Sequence, residues 1–244
     1  MLWWKKKNNT KVIQQEKFSR MMQIADNIIY AAETHNKKKE NNSEFRHPVY
    51  DYIKLLGMGL QTKYLMNLLY TDDHGKVKRY PDITSSLLFI KGSEILTSDY
   101  KTMFDLYDLN YRKEKVEIDL RRDLVLPWPW ALSRLINSIS FIGEERHWGD
   151  WEEDTLNHNL ELWLPVRLCF VNSGNHSIAS GIIQGEGKLN SRTVFDMSVL
   201  YDHVYTDGIN YYRSFDHSVI SNVELVEFAV IFEVGRKKCE LGIS

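Results

Sequence analysis

The sequence has little of what marks secreted, membrane-spanning or disulfide-rich proteins. Only two of its 244 residues are cysteines, Cys169 and Cys239, so neither a disulfide framework nor a cysteine-based zinc site is predicted. No uncharged run approaches the roughly 18 residues that a bilayer span requires. No apolar segment follows the N-terminal lysines, as it would in a secretory signal. These absences predict a cytoplasmic protein that does not enter a membrane.

An excess of charge of one sign is also missing. The formal net charge is −2, with 31 basic and 33 acidic residues. The chain therefore lacks the overall basic field that would call for nucleic acid, although this balance does not exclude such a partner. Apolar residues make up 43% and charged residues 26%, which is ordinary for a globular protein. The length fits one large domain or one domain with an extension.

Proline is scarce, but two of the five prolines lie together in the segment Leu-Pro-Trp-Pro-Trp at 126–130. Two prolines so close cannot lie inside a paired strand, so this segment is predicted to be a rigid extended connection. Its residues Trp128 and Trp130 either pack in the core or line a pocket, and core packing is favoured. Residues 131–141 then place leucine and isoleucine at helical spacing, which predicts a helix.

Apolar periodicity divides the remaining chain into two kinds of structure. Residues 10–34 and Val49–Tyr70 repeat apolar side chains at three- and four-residue steps, which predicts two long helices. From about residue 115 the pattern changes, and 116–125 is predicted as a strand. The apolar stretch 223–234 is predicted as a core strand, with 236–244 as a tail. The sequence therefore predicts an α+β protein, with a helical region at 1–112 packed on a mixed α/β domain at 113–244.

The stretch 144–159 is predicted to be a surface insertion, because six of its sixteen residues are Asp or Glu. It also carries Trp148 and Trp151. Exposed tryptophans are favoured anchors of protein interfaces, so this insertion is the predicted contact for a protein partner.

Four residues in or near the insertion are of types that ligate metals: His147, Asp150, His158 and His176. No spacing of the His-Glu-x-x-His kind places two of them on one helical face. A metal site is therefore not predicted.

The most informative stretch joins a predicted strand, 164–171, to a predicted helix that begins near Ser177. Between them lies a polar turn that contains Gly174, Asn175 and His176. A helix N-terminus after such a turn presents backbone N–H groups and polar side chains to an anion. The alternative is that these residues only form the turn and cap the helix.

The run Asn172-Ser173-Gly174-Asn175-His176-Ser177-Ile178-Ala179 resembles the strand-to-helix turn of the ParB/sulfiredoxin-like superfamily. The resemblance covers about 115–234. It implies a ParB-like mixed α/β fold in which this turn holds the phosphates of a nucleotide. The chain also resembles an uncharacterised bacterial family that shares the Trp-Pro-Trp and Gly-Asn-His-Ser features.

The resemblance implies a nucleotide- or phosphate-binding protein, with a nucleotide and Mg²⁺ as its ligands. A nucleotide hydrolase or nuclease component of a bacterial antiviral defence or mobile-element system would fit. His176 would act as general base or phosphate ligand, and Glu186 as a metal-holding or an acid/base carboxylate. Gly174, Asn175 and Ser177 would bind the ligand.

The chain departs from the superfamily pattern in two positions. Ser180 stands where the family has alanine. Ser177 stands where the family has its phosphate-binding arginine, so Arg167 or Arg192 would have to supply that charge. The alternative function is a non-enzymatic regulatory or protein-binding module with a degenerate nucleotide pocket.

Overall fold

The chain combines long helices with short strands in mixed sheets, which confirms the predicted α+β class. We describe a computed structural model of residues 2–35, 46–70 and 83–243, in which helices predominate over the strands of the mixed sheets. The ParB/sulfiredoxin-like architecture stays a prediction. Within the described ranges, no helix combines the length and the apolar character needed to cross a bilayer.

The helices include the two long ones expected near the N-terminus and one at the C-terminal end. Their bounds are α1 Leu2–His35, α2 Val49–Tyr70, α3 Ser85–Leu88, α4 Met103–Asn110, α5 Leu132–Phe141, α6 Asn175–Gln184 and α7 Val226–Leu241, with a 3-10 helix at Met197–Asp202. The prediction for α2 is confirmed at both ends. Helix α5 begins one residue later than expected, after Ala131, whose extended backbone marks the helix start.

The strands are short and form three sheets. Their bounds are β1 Tyr111–Arg112, β2 Glu117–Asp119, β3 Leu124–Leu126, β4 Asn159–Leu164, β5 Leu168–Ser173, β6 Lys188–Asn190, β7 Thr193–Asp196, β8 Val204–Thr206, β9 Asn210–Arg213 and β10 Val219–Asn222. The largest sheet has the order β1-β7-β4-β5-β3, the second has the order β10-β9-β8, and β2 pairs with β6.

The parallel pair β3 and β5 determines where the polar turn lies. Leu126 pairs with Phe170 at the end of this register. The segments that follow two parallel strands leave the sheet at the same edge. The Trp-Pro-Trp segment after β3 and the Gly174 turn after β5 therefore leave the sheet side by side, although more than 40 residues separate them in the sequence.

The chain forms two compact units, and each is built from separate segments. One unit consists of Met1–Ile53, Ser85–Asn110 and Asp196–Ser244, and the other of Lys54–Thr84 and Tyr111–Phe195. These units do not coincide with the predicted division at 112/113. The reason is that α7, at the C-terminal end, packs against α1.

The second unit has an apolar core between its sheets and α6. The residues that form this cluster include Ile118, Leu120, Val125, Trp151, Leu160, Leu162, Val171 and Ile178. Trp151 therefore belongs to the core although it lies in the stretch 144–159, which has no helix or strand before β4 begins at Asn159.

The predicted strand at 223–234 is wrong, because this segment from Val226 onward is the first half of α7. The run from Phe228 to Phe232 is buried at every position. A helix buried on all sides shows no polar face, so its sequence lacks the helical period and resembles a buried strand. The predicted tail is also wrong, since the helix continues to Leu241 and Lys238 is buried within it.

Two predicted strands are in fact pairs of shorter strands. The stretch 116–125 contains β2 and β3, joined by a turn in which the N–H groups of Arg122 and Asp123 donate to the carbonyl of Asp119. The stretch 164–171 contains the turn of a hairpin between β4 and β5, with Arg167 at φ 53°. The apolar residues continue across both turns, so their pattern does not reveal the turns.

Candidate functional site

The polar turn after β5 ends at position 174, which only glycine can occupy without strain. Gly174 has a left-handed backbone, with φ 81° and ψ 18°, and it precedes the first residue of α6. A Cβ atom at this position would lie 2.4 Å from the ring carbon Cδ2 of His158. Both its conformation and its close neighbour therefore require glycine. The predicted turn is confirmed, and the helix begins at Asn175, two residues before the expected Ser177.

The first turn of α6 has free backbone donors. Gly174 supplies no side-chain cap, and the first amide that bonds within the helix is that of Ile178, which donates to the carbonyl of Gly174 at 3.0 Å. Within the described part of the chain, the N–H groups of Asn175, His176 and Ser177 have no acceptor. Such a helix N-terminus carries a partial positive charge that favours an anion.

Asn175 adds a second kind of free donor. The residue is 1% exposed, and its Oδ1 accepts a hydrogen bond from the N–H of Trp128 at 2.8 Å. This contact fixes the orientation of the amide, and its Nδ2 is buried without a partner among the described residues. A buried donor without a partner costs about 1–3 kcal/mol. A ligand with an acceptor atom would remove that cost.

His176 is engaged in holding the start of α5. Its Nε2 accepts a hydrogen bond from the N–H of Ala131 at 3.2 Å, and its ring packs edge-to-face on Trp130 with centroids 4.6 Å apart. Burial lowers the pKa of His176, and the nearby positive charge of Arg134 lowers it further. The lone pair that a general base would use is therefore already occupied by a backbone amide.

His158 holds the other side of the turn. Its Nδ1 accepts from the N–H of Asp154 at 2.9 Å, so the neutral ring carries its proton on Nε2 and donates it to the Ser177 hydroxyl oxygen at 2.7 Å. The Ser177 hydroxyl then donates to the carbonyl of Gly174 at 3.1 Å. Burial lowers the pKa of His158. Because His158 donates to Ser177, this pair does not have the polarity of an activated nucleophile.

These residues lie around a cavity of about 440 Å³. One wall is formed by Trp130 and by residues of α5, and the other by the 144–159 insertion, and the first turn of α6 also lines the cavity. The lining side chains include Trp130, Arg134, Asn137, Trp148, Trp151, Glu152, Asp154, Asn175 and His176. A volume of this size is typical of small-molecule sites.

The cavity separates charges of opposite sign. Arg134 lies on the α5 wall with its guanidinium 5.8 Å from the ring centroid of Trp130, and no carboxylate among the described residues forms an ion pair with it. Glu152 and Asp154 lie on the insertion wall. The side with Arg134 and the α6 N-terminus suits an anionic group, and the opposite side suits hydrogen-bond donors.

The two arginines that the resemblance favoured do not line this cavity. Arg167 is fixed by a bidentate ion pair with the buried carboxylate of Asp123, at 2.8 and 3.0 Å, which supports the β4–β5 hairpin. Arg192 lines a different cavity of about 350 Å³, together with Lys113 and Lys115.

Glu186 also lies outside this cavity. The cavity is at the N-terminus of α6, whereas Glu186 follows the C-terminal end of that helix. Its carboxylate is near the backbone N–H groups of Trp151, at 3.4 Å, and Glu144, at 3.5 Å. Gly174, Asn175, His176 and Ser177 are therefore the predicted site residues that the structure brings together.

Three charged residues of the cavity were missed from the sequence as ligand contacts: Arg134, Glu152 and Asp154. Arg134 lies four residues after the second tryptophan of Trp-Pro-Trp, on the predicted helix. It is the one charged residue of α5, and this is the signal that could have identified it. Asp154 lies in an acidic stretch whose members are indistinguishable by sequence.

The structure offers no metal centre in the residues it describes. No three of their His, Cys, Asp or Glu side chains are arranged to hold a metal ion together. His147, Asp150, His158 and His176 therefore do not form a shared ligand set.

Comparison with known proteins identifies a family without an assigned activity. A family model described as DUF6710, a family of unknown function, matches residues 3–244. Neither a curated protein nor a solved structure matches the chain.

Proposed function

The chain belongs to the DUF6710 family, and we propose that this protein binds a phosphate-bearing small molecule, of the nucleotide class, in the cavity at the N-terminus of α6. The observation that carries the proposal is the set of unsatisfied donors. Three backbone N–H groups and the buried Nδ2 of Asn175 lack acceptors among the described residues. The residues that carry these donors line the same cavity as Arg134.

The aromatic lining supports a ligand with a flat apolar part as well as an anionic one. Trp130 is 38% exposed and Trp148 is 59% exposed, and both indoles line the same cavity. Stacking of a base on an aromatic side chain contributes about 1–3 kcal/mol. The carboxylates of Glu152 and Asp154 would accept hydrogen bonds from amino or hydroxyl groups of the same ligand.

Binding without hydrolysis is the function that the local hydrogen bonds support. The accepting nitrogens of His176 and His158 are both engaged by backbone amides, and Glu186 lies outside the cavity. No side chain assigned a base role is therefore free to activate water. Mg²⁺ would enter with the phosphates of the ligand. A cytoplasmic location and a role in bacterial defence are parts of this proposal that rest on the sequence alone.

A thermal-shift screen tests the proposal directly. The panel contains ATP, GTP, CTP, UTP and inorganic tripolyphosphate, each with and without Mg²⁺. A ligand present at 100 times its dissociation constant stabilises the native state by about 2.7 kcal/mol, which corresponds to a rise of roughly 5–10 °C in melting temperature for a chain of this size. If no member of the panel raises the melting temperature, the proposal is wrong.

A pair of arginine variants then locates the site. Arg134→Gln removes the cation of the cavity and should weaken binding about tenfold or more, because a hydrogen bond to a charged group contributes about 1.5–3 kcal/mol. Arg192→Gln makes the same change of charge beside another cavity and should leave affinity unchanged. Equal losses in both variants would indicate non-specific attraction rather than this site.

Exposed apolar side chains on the insertion favour a second candidate, a protein-binding module. Trp148 packs on Phe141 with centroids 5.0 Å apart, and Leu156 is 96% exposed. Large exposed apolar groups that lie close together are typical of interaction surfaces. This candidate predicts no stabilisation by any ligand of the panel, and acrylamide should quench the fluorescence of Trp148 equally with and without ligand.

A further inference from the structure

We infer that His176 and His158 are positioning residues, each of which must be neutral to hold one wall of the cavity against the first turn of α6. The expected effect on ligand binding rests on the proposed function, whereas the protonation state of the two rings does not. It assigns the histidine of the Gly-Asn-His-Ser motif a role other than general base.

His176 positions the α5 wall. Its ring accepts a hydrogen bond from the N–H of Ala131, the residue before α5, and no side chain caps that helix. Trp130 precedes Ala131 and packs on the same imidazole, and Arg134 lies in the first turn of α5. The ring of His176 therefore contacts both the backbone at the start of α5 and the indole that precedes it.

His158 positions the insertion wall in a corresponding way. It accepts from the amide of Asp154 and donates to Ser177 of α6. Its ring also stacks on Trp151, with centroids 4.9 Å apart and planes 11° from parallel. The insertion has no helix or strand before β4 begins, so its path depends on individual contacts, of which this ring supplies several.

The two rings must have opposite tautomers. His176 accepts at Nε2 and therefore carries its proton on Nδ1, whereas His158 accepts at Nδ1 and carries its proton on Nε2. A protonated imidazole has two donors and no acceptor. Protonation of either ring would place its new N–H group against the backbone N–H from which the ring now accepts. This hydrogen bond would be lost, and the ring would no longer hold the corresponding wall in place.

The charged groups around each ring determine how this protonation depends on pH. Arg134, from α5, is the charged group that faces His176, and it opposes protonation together with burial. Asp154 and Glu153, from the insertion, face His158 and favour protonation, but burial outweighs them. Both rings are therefore neutral near pH 7, and acid should weaken the site.

Ring nitrogen NMR tests the tautomers without any ligand. Long-range proton–nitrogen correlation spectra at pH 7.5 distinguish protonated from unprotonated ring nitrogens, and the His176→Gln and His158→Asn variants assign the signals. We expect an unprotonated Nε2 in His176 and an unprotonated Nδ1 in His158. The same tautomer in both rings, or a positive charge on either at this pH, would overturn the inference.

Substitutions that imitate one ring nitrogen test the positioning role. The amide oxygen of glutamine can replace Nε2, and that of asparagine can replace Nδ1. With inorganic tripolyphosphate as the probe at pH 7.5, His176→Gln should bind within about threefold of the native protein. His176→Asn should bind about fivefold more weakly or worse, which corresponds to the loss of one net hydrogen bond. Equal impairment of the two variants would contradict a positioning role.

The pH profile separates positioning from a merely structural contribution. Affinity for tripolyphosphate is measured at pH 7.5 and at about pH 5 for the native protein and for His176→Gln. Titration of the probe affects both proteins equally, so the ratio of their affinities reports His176 alone. We expect the native protein to lose affinity in acid relative to the variant, and an unchanged ratio would overturn the inference. If tripolyphosphate binds neither protein, the same comparison is made with the nucleotide of the panel that binds best. If no member of the panel binds, the proposed function fails, while the NMR experiment still decides the tautomers.

Discussion

The two walls of the cavity differ in how they are built. The α5 wall belongs to a regular helix, whose backbone hydrogen bonds hold each residue in place. The insertion wall contains no helix or strand and is held by individual contacts. Among these, the Trp151 indole N–H donates to the carbonyl of Ser177 at 2.7 Å. The comparison suggests that a substitution on the helical wall changes one side chain, whereas loss of one anchor can displace the whole insertion wall.

The largest expected effect comes from the central anchor of the insertion wall. Trp151→Ala removes a side chain that is 6% exposed and belongs to the core cluster, and it also leaves the Ser177 carbonyl without this donor. We expect the free energy of unfolding to fall by about 3–5 kcal/mol, measured by urea denaturation. A loss below about 1 kcal/mol would show that the insertion wall does not depend on this residue.

A smaller effect is expected when the same indole is displaced from its other side. A Cβ atom at Gly187 would lie 2.4 Å from the ring carbon Cε3 of Trp151, and Gly187 has φ 102°. Gly187→Ala should therefore destabilise the protein by about 1–3 kcal/mol through overpacking and backbone strain. Gly149→Ala is the control, since it also has positive φ but no neighbour within 4 Å of the added carbon. Equal losses in the two variants would assign the effect to backbone strain alone.

Acid should weaken both walls, because each depends on a neutral histidine. The pKa values of His176 and His158 are lowered from 6.5 in the folded protein, so their contribution to stability is complete above pH 6.5. It is lost as the pH falls from 6.5 towards the folded pKa, where the unfolded chain binds more protons. The slope from each histidine is at most about 1.4 kcal/mol per pH unit.

Urea denaturation at pH 7.5, 6.5 and 5.5 measures this dependence. The doubly substituted protein, His176→Gln with His158→Asn, should have a flatter profile than the native protein over the same range. Parallel profiles would show that these two rings do not account for the loss of stability in acid.

The smallest expected effect on stability is that of the second tryptophan of the insertion. Trp148 is 59% exposed, so Trp148→Ala should change the free energy of unfolding by no more than about 0.5 kcal/mol. Calorimetric titration with the best nucleotide of the panel should nevertheless show weaker binding, while the affinity for tripolyphosphate stays the same. A stability loss similar to that of Trp151→Ala would remove the distinction between the two residues.

The sequence predicts individual elements of this site better than it predicts how they are brought together. The periodicity of 131–141 and the glycine at 174 indicate a helix and a turn because both signals are local. Arg134 meets the α6 N-terminus because β3 and β5 are parallel, and strand direction leaves no mark on the sequence. Arg167 was predicted to contact a ligand because its actual partner, Asp123, lies 44 residues away and the sequence does not show that the two residues meet. The helix α7 was missed because burial on all sides hides its period.

The packing of α1 against α7 has a consequence for synthesis of the chain. These helices belong to one compact unit, but roughly 190 residues separate the end of α1 at His35 from the start of α7 at Val226. At about 5–20 residues per second, the ribosome needs ~10–40 s to make that stretch. During this time α1 has no α7 to pack against. Translation of the other unit, in contrast, is complete at Phe195, before α7 is made. We therefore expect the cavity-bearing unit to be able to fold first, and chaperones to meet the nascent chain chiefly through the apolar residues of α1.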